Sequence, residues 1–225
     1  MSVRVVALVP ARDEADRVGA TVAALRSIDA VNEVVVIDDG SQDGTASEAL
    51  TAGATVLRIA EPIGKGGALE GALRRLPEPD VWLLADADLA DTAAGLERVI
   101  EPVLDGRADL AIAAFPPGRG GGFGLVKRFA ARAIRLLSGF EASEPLSGQR
   151  AVSASALAVC RPVAPGFGVE TAMTIDAVRA GLRVQEVPVP LGHRPTGRDI
   201  RGFAHRGRQG LEILLALAPR VVGLR

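Results

Sequence analysis

Short apolar runs alternate with amphipathic stretches along most of the chain. The runs are as short and as uninterruptedly apolar as strands that are buried on both faces. The stretches between them place apolar residues at helical spacing. We predict strands over residues 3–9, 33–37, 54–59, 81–85 and 108–115, and helices over residues 15–25, 44–50, 68–76 and 96–104. Because strands and helices alternate, the pattern predicts a single α/β domain with a mainly parallel central sheet flanked by helices.

The second half of the chain keeps this alternation less regularly. Helices are predicted over residues 125–137, 167–180 and 203–217, with strand-like residues 151–152 and a last strand over residues 183–191. Pro188 and Pro190 cannot donate to a sheet ladder, so we expect the last strand at an edge. The glycine-rich residues 116–124 predict a mobile loop, and their spacing does not match the dinucleotide fingerprint.

Composition limits the possible partners and compartments. A length of 225 residues and a 48% hydrophobic fraction suit one domain with one core. With a net charge of −1 the chain has no overall positive potential that would attract nucleic acid, so we expect no nucleic-acid partner. Cys160 is the single cysteine, which is compatible with a reducing cytoplasm. We recognise no signal peptide and no membrane-spanning run, and expect a cytoplasmic protein; peripheral contact with the inner face of the membrane and a homodimer stay open.

Two acids, Asp86 and Asp88, follow the apolar strand predicted over residues 81–85. Along an extended chain they point the same way, with Ala87 opposite. Neighbouring carboxylates repel each other, and a divalent cation that prefers hard oxygen ligands removes that repulsion. We therefore predict Mg²⁺ or Mn²⁺ at this pair, where the cation can stabilise a diphosphate leaving group. A solvated loop with two surface acids is the simpler alternative.

Polar residues also gather after the other predicted strands, in the segments Arg12-Asp13-Glu14, Asp38-Asp39, Gly64-Lys65-Gly66 and His193-Arg194. Ligands bind outside the carboxyl ends of strands in an open parallel sheet, so we expect these segments at one site. Each also has a simpler interpretation. The two aspartates suit a turn with helix-capping acids, residues 64–67 suit an ordinary glycine-rich turn, and a lone loop histidine is commonly incidental.

Four segments together resemble the family 2 glycosyltransferases, which have the GT-A (Rossmann-like) fold. They are Pro10-Ala11-Arg12-Asp13-Glu14, Asp38-Asp39-Gly40-Ser41, Gly64-Lys65-Gly66 and Asp86-Ala87-Asp88. The resemblance implies a nucleotide-sugar-binding half over residues 1–90 and an acceptor half over residues 91–225, with a UDP- or GDP-sugar as donor. The donor-binding residues that it implies are Pro10, Ala11, Arg12, Glu14, Asp39, Gly40, Lys65, Gly66, Asp86 and Ala87. Asp13 stands where that family usually has asparagine.

Segments of the second half resemble two branches of that family, the polyprenyl-phosphate sugar synthases and the glucosyl-3-phosphoglycerate synthases. The segments are Ser147-Gly148-Gln149-Arg150, Phe167-Gly168-Val169-Glu170 and His193-Arg194. The second branch implies Glu170 at the sugar, catalytic together with Asp88, and His193 as the third metal ligand. We expect acceptor contacts from Ser147, Gly148, Arg150, Arg194 and Arg198.

Arginine-rich segments bear on the acceptor. One set is Arg128, Arg132 and Arg135 with Lys127, and the other is Arg194, Arg198, Arg201, Arg206 and Arg208. Arginine suits phosphate, and a basic amphipathic helix can rest on an anionic membrane surface, so we expect a phosphorylated acceptor with polyprenyl phosphate ahead of a small phospho-acid. Ordinary helices with solvated arginines are the alternative. A sugar-phosphate nucleotidyltransferase, or a non-catalytic nucleotide-binding protein, is the other class of function that stays open.

Overall fold

The protein is described by a computed structural model that covers residues 3–115, 124–192 and 200–221, with the side chains of residues 200–210 outside the description. Within these residues seven strands form one sheet in the order β3-β2-β1-β4-β6-β5-β7. The strands are β1 Val5–Ala11, β2 Val31–Asp39, β3 Thr55–Ile59, β4 Val81–Leu84, β5 Leu110–Ala114, β6 Arg150–Ser153 and β7 Val184–Pro188. All neighbours pair in parallel except β6, which is antiparallel to both β4 and β5.

Helices cover both faces of the sheet. One layer contains α1 Val18–Arg26, α2 Thr45–Thr51 and α4 Glu97–Leu104, with a 3₁₀ segment at Ala90–Leu96. The other layer contains α3 Gly64–Leu73, α6 Ala154–Cys160 and α7 Val169–Arg179. Two further helices, α5 Leu125–Ser138 and α8 Ile200–Val221, lie outside α7 and pack on it through Ile134, Ile175, Ile213 and Leu217.

The apolar runs become central strands because each strand is covered on both sides. In β1, Val5, Ala7 and Val9 face the α1–α4 layer, while Val6 and Leu8 face the α3–α7 layer. A strand that is buried on both faces has no solvent-exposed side that would carry polar residues. This explains why its sequence is apolar throughout. The α/β class, the mainly parallel sheet and the edge position of the last strand are confirmed.

Three local predictions differ from the structure. Residues 64–67 form the first turn of α3 rather than a separate glycine-rich turn. Helix α6 is absent from the sequence-based assignment; its N-terminus is capped by Ser153, whose hydroxyl accepts from the amide of Ala156. Strand β7 ends at Pro188, three residues before the predicted end. The expected loop over residues 116–124 lies almost wholly outside the described residues.

The antiparallel strand β6 joins the two halves of the chain at the functional edge of the sheet. Leu84, the last residue of β4, pairs with Arg150, the first residue of β6. Because the two strands run in opposite directions, the turn before β6 lies at the carboxyl end of β4. Residues 147–149 are therefore brought beside the acids that follow β4.

Candidate active site

The acid pair follows β4 as the sequence predicts. Asp86 and Asp88 are both partly exposed, and Ala87 between them is buried. The loop that carries them is fixed from α1, where the buried hydroxyl of Thr21 donates to the carbonyl of Ala87 at 2.7 Å and accepts from the amide of Ala90 at 2.8 Å. One short side chain thus satisfies two backbone groups of the loop and holds the two carboxylates at the edge of the sheet.

Lys65 lies between two carboxylates that come from opposite halves of the chain. Its ammonium group is 2.7 Å from Asp86 Oδ1 and 2.7 Å from Glu170 Oε1. Burial alone would lower the pKa of Lys65, but the negative charges of Asp86 and Glu170 outweigh it and raise the pKa above its ordinary value. Lys65 therefore keeps its charge at neutral pH, and it neutralises part of a compact acidic cluster.

The turn before β6 completes the surroundings of Asp86. The buried amide of Gln149 donates to Asp86 Oδ2 at 2.5 Å, and Ser147 Oγ donates to Gln149 Oε1 at 3.2 Å. Gly148 packs against the ion pair itself, since a Cβ there would lie 2.5 Å from Lys65 Nζ and 2.8 Å from both oxygens of Asp86. Only glycine fits at position 148 without displacing this pair. The sequence drew attention to this turn, but it did not assign a site role to Gln149.

Arg150 is fully buried beneath the site. Its Nε donates to the carbonyl of Ser147 at 2.8 Å, and its Nη1 donates to Thr174 Oγ1 at 2.9 Å. Burial lowers the pKa of Arg150 to about 10, and the charge of Glu170 opposes this shift. The described contacts make Arg150 a support of the turn before β6 and of helix α7. Its contact with an acceptor stays a prediction, as do those of Ser147 and Gly148, which are also buried.

Asp39 holds the segment that leads to Lys65. Its two carboxylate oxygens accept from the amides of Ile63 and Gly64, each at 2.8 Å, at the N-terminus of α3. Gly66 in the same helical turn approaches the backbone of residues 164–166 so closely that a Cβ would overlap the carbonyl oxygen of Ala164. These contacts explain why residues 64–67 are helical despite three glycines: an acidic cap and a close packing requirement stabilise the turn.

The segment after β1 lies beside the end of β2. Asp13 has φ of +53°. Its backbone amide donates to Ser41 Oγ, and its carboxylate accepts from the backbone amide of Gln42. Asparagine and aspartate adopt this left-handed conformation more readily than other non-glycine residues, so Asp13 can replace asparagine without changing the backbone. The amide of Glu14 donates to Thr45 Oγ1 at 2.8 Å, which fixes the start of α1 against α2.

The structure therefore brings most of the predicted site residues to one edge of the sheet. Oxygen donors from Asp86 and Asp88 suit a hard divalent cation. Within residues 3–115, 124–192 and 211–221, no three acidic, histidine or cysteine side chains form a ready metal cluster. The predicted third ligand, His193, lies outside the described residues together with Arg194 and Arg198. The metal role of the acid pair thus stays a prediction that the donor chemistry fits.

Comparison with known proteins gives a consistent relationship. The family model described as "Glycosyl transferase family 2" matches residues 6–151. Glycosyltransferase AglJ of Haloferax volcanii is 29% identical over 196 residues, which are 85% of this chain and 64% of that protein. Undecaprenyl-phosphate mannosyltransferase of Micrococcus luteus is 29% identical over 239 residues, covering 99% of this chain and 98% of the other.

A solved structure shares the architecture. Glucosyl-3-phosphoglycerate synthase from Mycobacterium tuberculosis, in complex with Mn²⁺, uridine diphosphate and glucosyl-3-phosphoglycerate, superposes with a TM-score of 0.81 at 28% identity. The match covers 96% of this chain and 79% of that chain. Another crystal structure of that synthase contains Mg²⁺ and uridine diphosphate. The likeness confirms the GT-A arrangement expected from the sequence.

Proposed function

The chain belongs to glycosyl transferase family 2, and from that premise we propose that it transfers a sugar from a nucleotide-sugar donor to a phosphorylated acceptor. The donor is a UDP- or GDP-sugar, and Mg²⁺ or Mn²⁺ is the cofactor. The single observation that carries this proposal is the cluster of Asp86, Lys65 and Glu170, in which residues from the first and second halves of the chain share one charge network. The metal-bound, uridine diphosphate-bound synthase structures support it.

Each charge in the cluster has a use in such a transfer. Asp86 and Asp88 would hold the cation, which supplies positive charge to a departing diphosphate. Lys65 carries a second positive charge beside Asp86, so that it can also face a phosphate. The carboxylate of Glu170 can accept from a sugar hydroxyl. Because the Lys65 ammonium group contacts both carboxylates, sugar binding at Glu170 would be coupled to the neutralisation of Asp86 by Lys65.

The donor would be bound by the first half of the chain. We assign the nucleotide and diphosphate contacts to the segments that surround this edge: Pro10, Ala11, Arg12, Glu14, Asp39, Gly40, Lys65, Gly66, Asp86 and Ala87. The fixed backbone of these segments supports the assignment, because a preformed site loses less entropy on binding. In Asp39 the two carboxylate oxygens already accept two amides, so its contact with a base or ribose uses its remaining lone pairs.

The acceptor is polyprenyl phosphate in our preferred version and a small phospho-acid in the other. The mannosyltransferase of Micrococcus luteus, which matches over nearly its full length, is named for a lipid phosphate. The synthase of Mycobacterium tuberculosis favours the second version, because it was solved with glucosyl-3-phosphoglycerate. Both acceptors present a phosphate, for which the arginines of the second half are suited.

A transfer assay distinguishes these versions. Purified protein with Mn²⁺ is supplied with UDP- and GDP-sugars, and with either a short polyprenyl phosphate in detergent or 3-phosphoglycerate, and products are identified by mass spectrometry. We expect nucleoside diphosphate release with a glycosylated phosphate acceptor, lost in excess chelator. Asp88→Asn and Glu170→Gln should lower turnover severely, whereas Asp105→Asn, an exposed acid after α4, should match the parent.

Other outcomes separate the alternatives. Transfer only to an uncharged acceptor would overturn the phosphate assignment. Formation of a nucleotide sugar from a sugar phosphate and a nucleoside triphosphate would indicate a nucleotidyltransferase; Arg12-Asp13-Glu14 stands where that class is expected to carry a glycine- and lysine-rich loop. Binding of nucleotide without any turnover, under all donors, would indicate a non-catalytic binding protein.

A further inference from the structure

The solvent-facing side of helix α8 is apolar from residue 211 to residue 221. Leu211, Leu214, Leu215 and Val221 are 58%, 52%, 59% and 65% exposed, and Ala218 between them is also exposed. At 3.6 residues per turn these positions form one stripe along the helix. An ordinary surface helix shows charged or polar residues on this side, so the stripe requires an explanation.

The charged residues of the same segment point into the protein. Glu212 accepts from the backbone amide of Phe167 at 2.9 Å. Arg220 is buried and forms an ion pair with Asp176 of α7, with Arg220 Nε 2.7 Å from Asp176 Oδ1. The inner side therefore uses its polar groups to fix the helix, and the outer side is left with leucine, alanine and valine. Since the inner side also buries apolar residues, this segment is apolar on both sides, unlike an ordinary amphipathic helix.

Helix α5 lies beside α8 and extends the same kind of surface. Its residues Leu125, Phe129 and Leu136 are exposed, and a band of exposed arginines runs next to them: Arg128, Arg132 and Arg135. Two acids lie near this band. Glu141 is 3.7 Å from Arg135, and Glu144 is 2.7 Å from Lys127. Arg128 and Arg132 form no ion pair in the described part of the chain, so the band keeps a positive balance.

We propose that these exposed residues of α5 and α8, here called the outer face, dock on an anionic phospholipid bilayer. Leucine and phenylalanine side chains would enter the interface, and the arginines would meet lipid phosphates. A two-fold dimer through the outer face would bring two positive bands into one contact, which favours an anionic surface over a second copy. Among residues 3–115, 124–192 and 200–221, no helix is long and apolar enough to cross a bilayer, and the proposed contact is with the bilayer surface.

The outer face is connected to the active site by the inner side of α8. Glu212 binds the amide of Phe167, and a Cβ at Gly168 would overlap Ala216. The next residue begins α7, whose first turn carries Glu170. Docking would therefore hold the site close to the membrane surface. A lipid phosphate acceptor would then reach the site from that surface. Only this consequence of docking rests on the proposed function.

Vesicle flotation tests the docking without any transfer reaction. The full chain is mixed with vesicles of phosphatidylcholine alone, or of phosphatidylcholine with phosphatidylglycerol, at low and high salt. We expect flotation with the anionic vesicles, weakened at high salt as charges are screened. Leu214→Gln/Leu215→Gln should reduce the partition coefficient by about tenfold or more, since burying one leucine corresponds to at least a decade in partitioning. Arg128→Gln/Arg132→Gln should reduce it mainly at low salt.

Matched controls lie on the other layer of the protein. Leu50→Gln on α2 removes a leucine that is 58% exposed, and Arg98→Gln on α4 removes an exposed arginine. Both controls should float like the parent. Equal flotation of the leucine pair variant, or equal binding to neutral vesicles, would overturn the proposal. So would a dimer in gel filtration that Leu214→Gln/Leu215→Gln converts to a monomer. Vesicle binding with no transfer to any phosphate would instead contradict the proposed function alone.

Discussion

The side-chain amide of Gln149 donates to Asp86 Oδ2 at 2.5 Å, across 63 residues of sequence. Asp86 also accepts from Lys65, so the carboxylate is held from two sides. Gln149 is fully buried, and its own oxygen accepts from Ser147. A carboxylate that is oriented by a buried amide presents its remaining lone pairs in a fixed direction. We therefore predict that Gln149 is a positioning residue for the metal and diphosphate site.

Gln149→Met removes the donor and keeps a side chain of similar length. We expect the Mn²⁺ concentration required for half-maximal activity to rise about 10- to 100-fold, as is typical when an outer-shell partner of a ligand is lost. The control is Gln185→Met, which changes an exposed glutamine on β7. Activity is measured as a function of Mn²⁺. A variant that loses thermal stability but keeps the parent's Mn²⁺ dependence would show that Gln149 is only structural.

Gly148→Ala should disturb the pair formed by Lys65 and Asp86. The added methyl group would lie 2.5 Å from Lys65 Nζ, so the ammonium group or the turn must shift. We expect a large fall in turnover with a folded protein, read by circular dichroism and by nucleoside diphosphate release. Gly71→Ala is the matched control, because a Cβ at Gly71 in α3 meets nothing within 4 Å apart from its chain neighbours and the backbone of its own helix. That variant should be as active as the parent and about 0.5–1 kcal/mol more stable.

Thr21→Val tests the support of the acidic loop. The substitution keeps the shape of the side chain but leaves the carbonyl of Ala87 and the amide of Ala90 without the Thr21 hydroxyl. Unfolding in urea should show a loss of about 1–3 kcal/mol, the usual effect of losing a buried hydrogen-bond partner. Turnover should fall as well. Thr51→Val at the exposed end of α2 serves as control, and a Thr21→Val protein with unchanged stability and activity would contradict this role.

The ionisation of Glu70 should make the free energy of unfolding depend on pH in the acid range. Partial burial opposes its ionisation, but hydrogen bonds from Arg161, Arg74 and the amide of Val163 lower the pKa of Glu70 to about 2, from an ordinary value of 4.5. A carboxylate whose pKa is depressed in the folded state stabilises the fold fully above the unfolded pKa and loses this effect as the pH falls toward 2. Glu70→Gln should therefore cost about 1–3 kcal/mol at pH 7 and much less near pH 2.

The measurement for Glu70 is urea unfolding of parent and variant at several pH values between 7 and the acid limit of two-state behaviour. Glu101→Gln, an exposed position on α4, is the control and should show no such pH-dependent difference. Since Glu70 joins α3 to residues 161–163, the variant should also lower activity at neutral pH through Lys65. A difference between parent and Glu70→Gln that stays constant with pH would contradict the assigned ionisation.

His193→Ala tests the predicted third metal ligand. We expect a higher Mn²⁺ requirement with little change in thermal stability measured without metal, because a metal ligand contributes mainly to metal binding. The chain contains only one other histidine, so His205→Ala is the natural control. Identical Mn²⁺ titrations for His193→Ala and the parent would remove His193 from the metal site and leave Asp86 and Asp88 as its predicted ligands.

The sequence by itself determined the class of the fold and the edge where the polar residues meet. Runs such as Val5–Ala11 and Val81–Leu84 are apolar because they are covered on both faces, and that requirement is local enough to read directly. The acid pair could be located for the same reason, since it follows a buried strand. Prediction from the sequence is less complete at β6, because this strand has only four residues and contains a buried arginine.

Only the tertiary structure decided which side chains surround Asp86 and which side of α8 faces inward. Gln149 and Glu170 lie 63 and 84 residues from Asp86 in sequence, and antiparallel insertion of β6 with the docking of α7 brings them together. In α8, periodicity indicates a helix, but both of its sides contain leucine or isoleucine. The inward side packs Ile213 and Leu217 on α7 and pairs Glu212 and Arg220 with groups on other elements, and these partners are known only once the chain is folded.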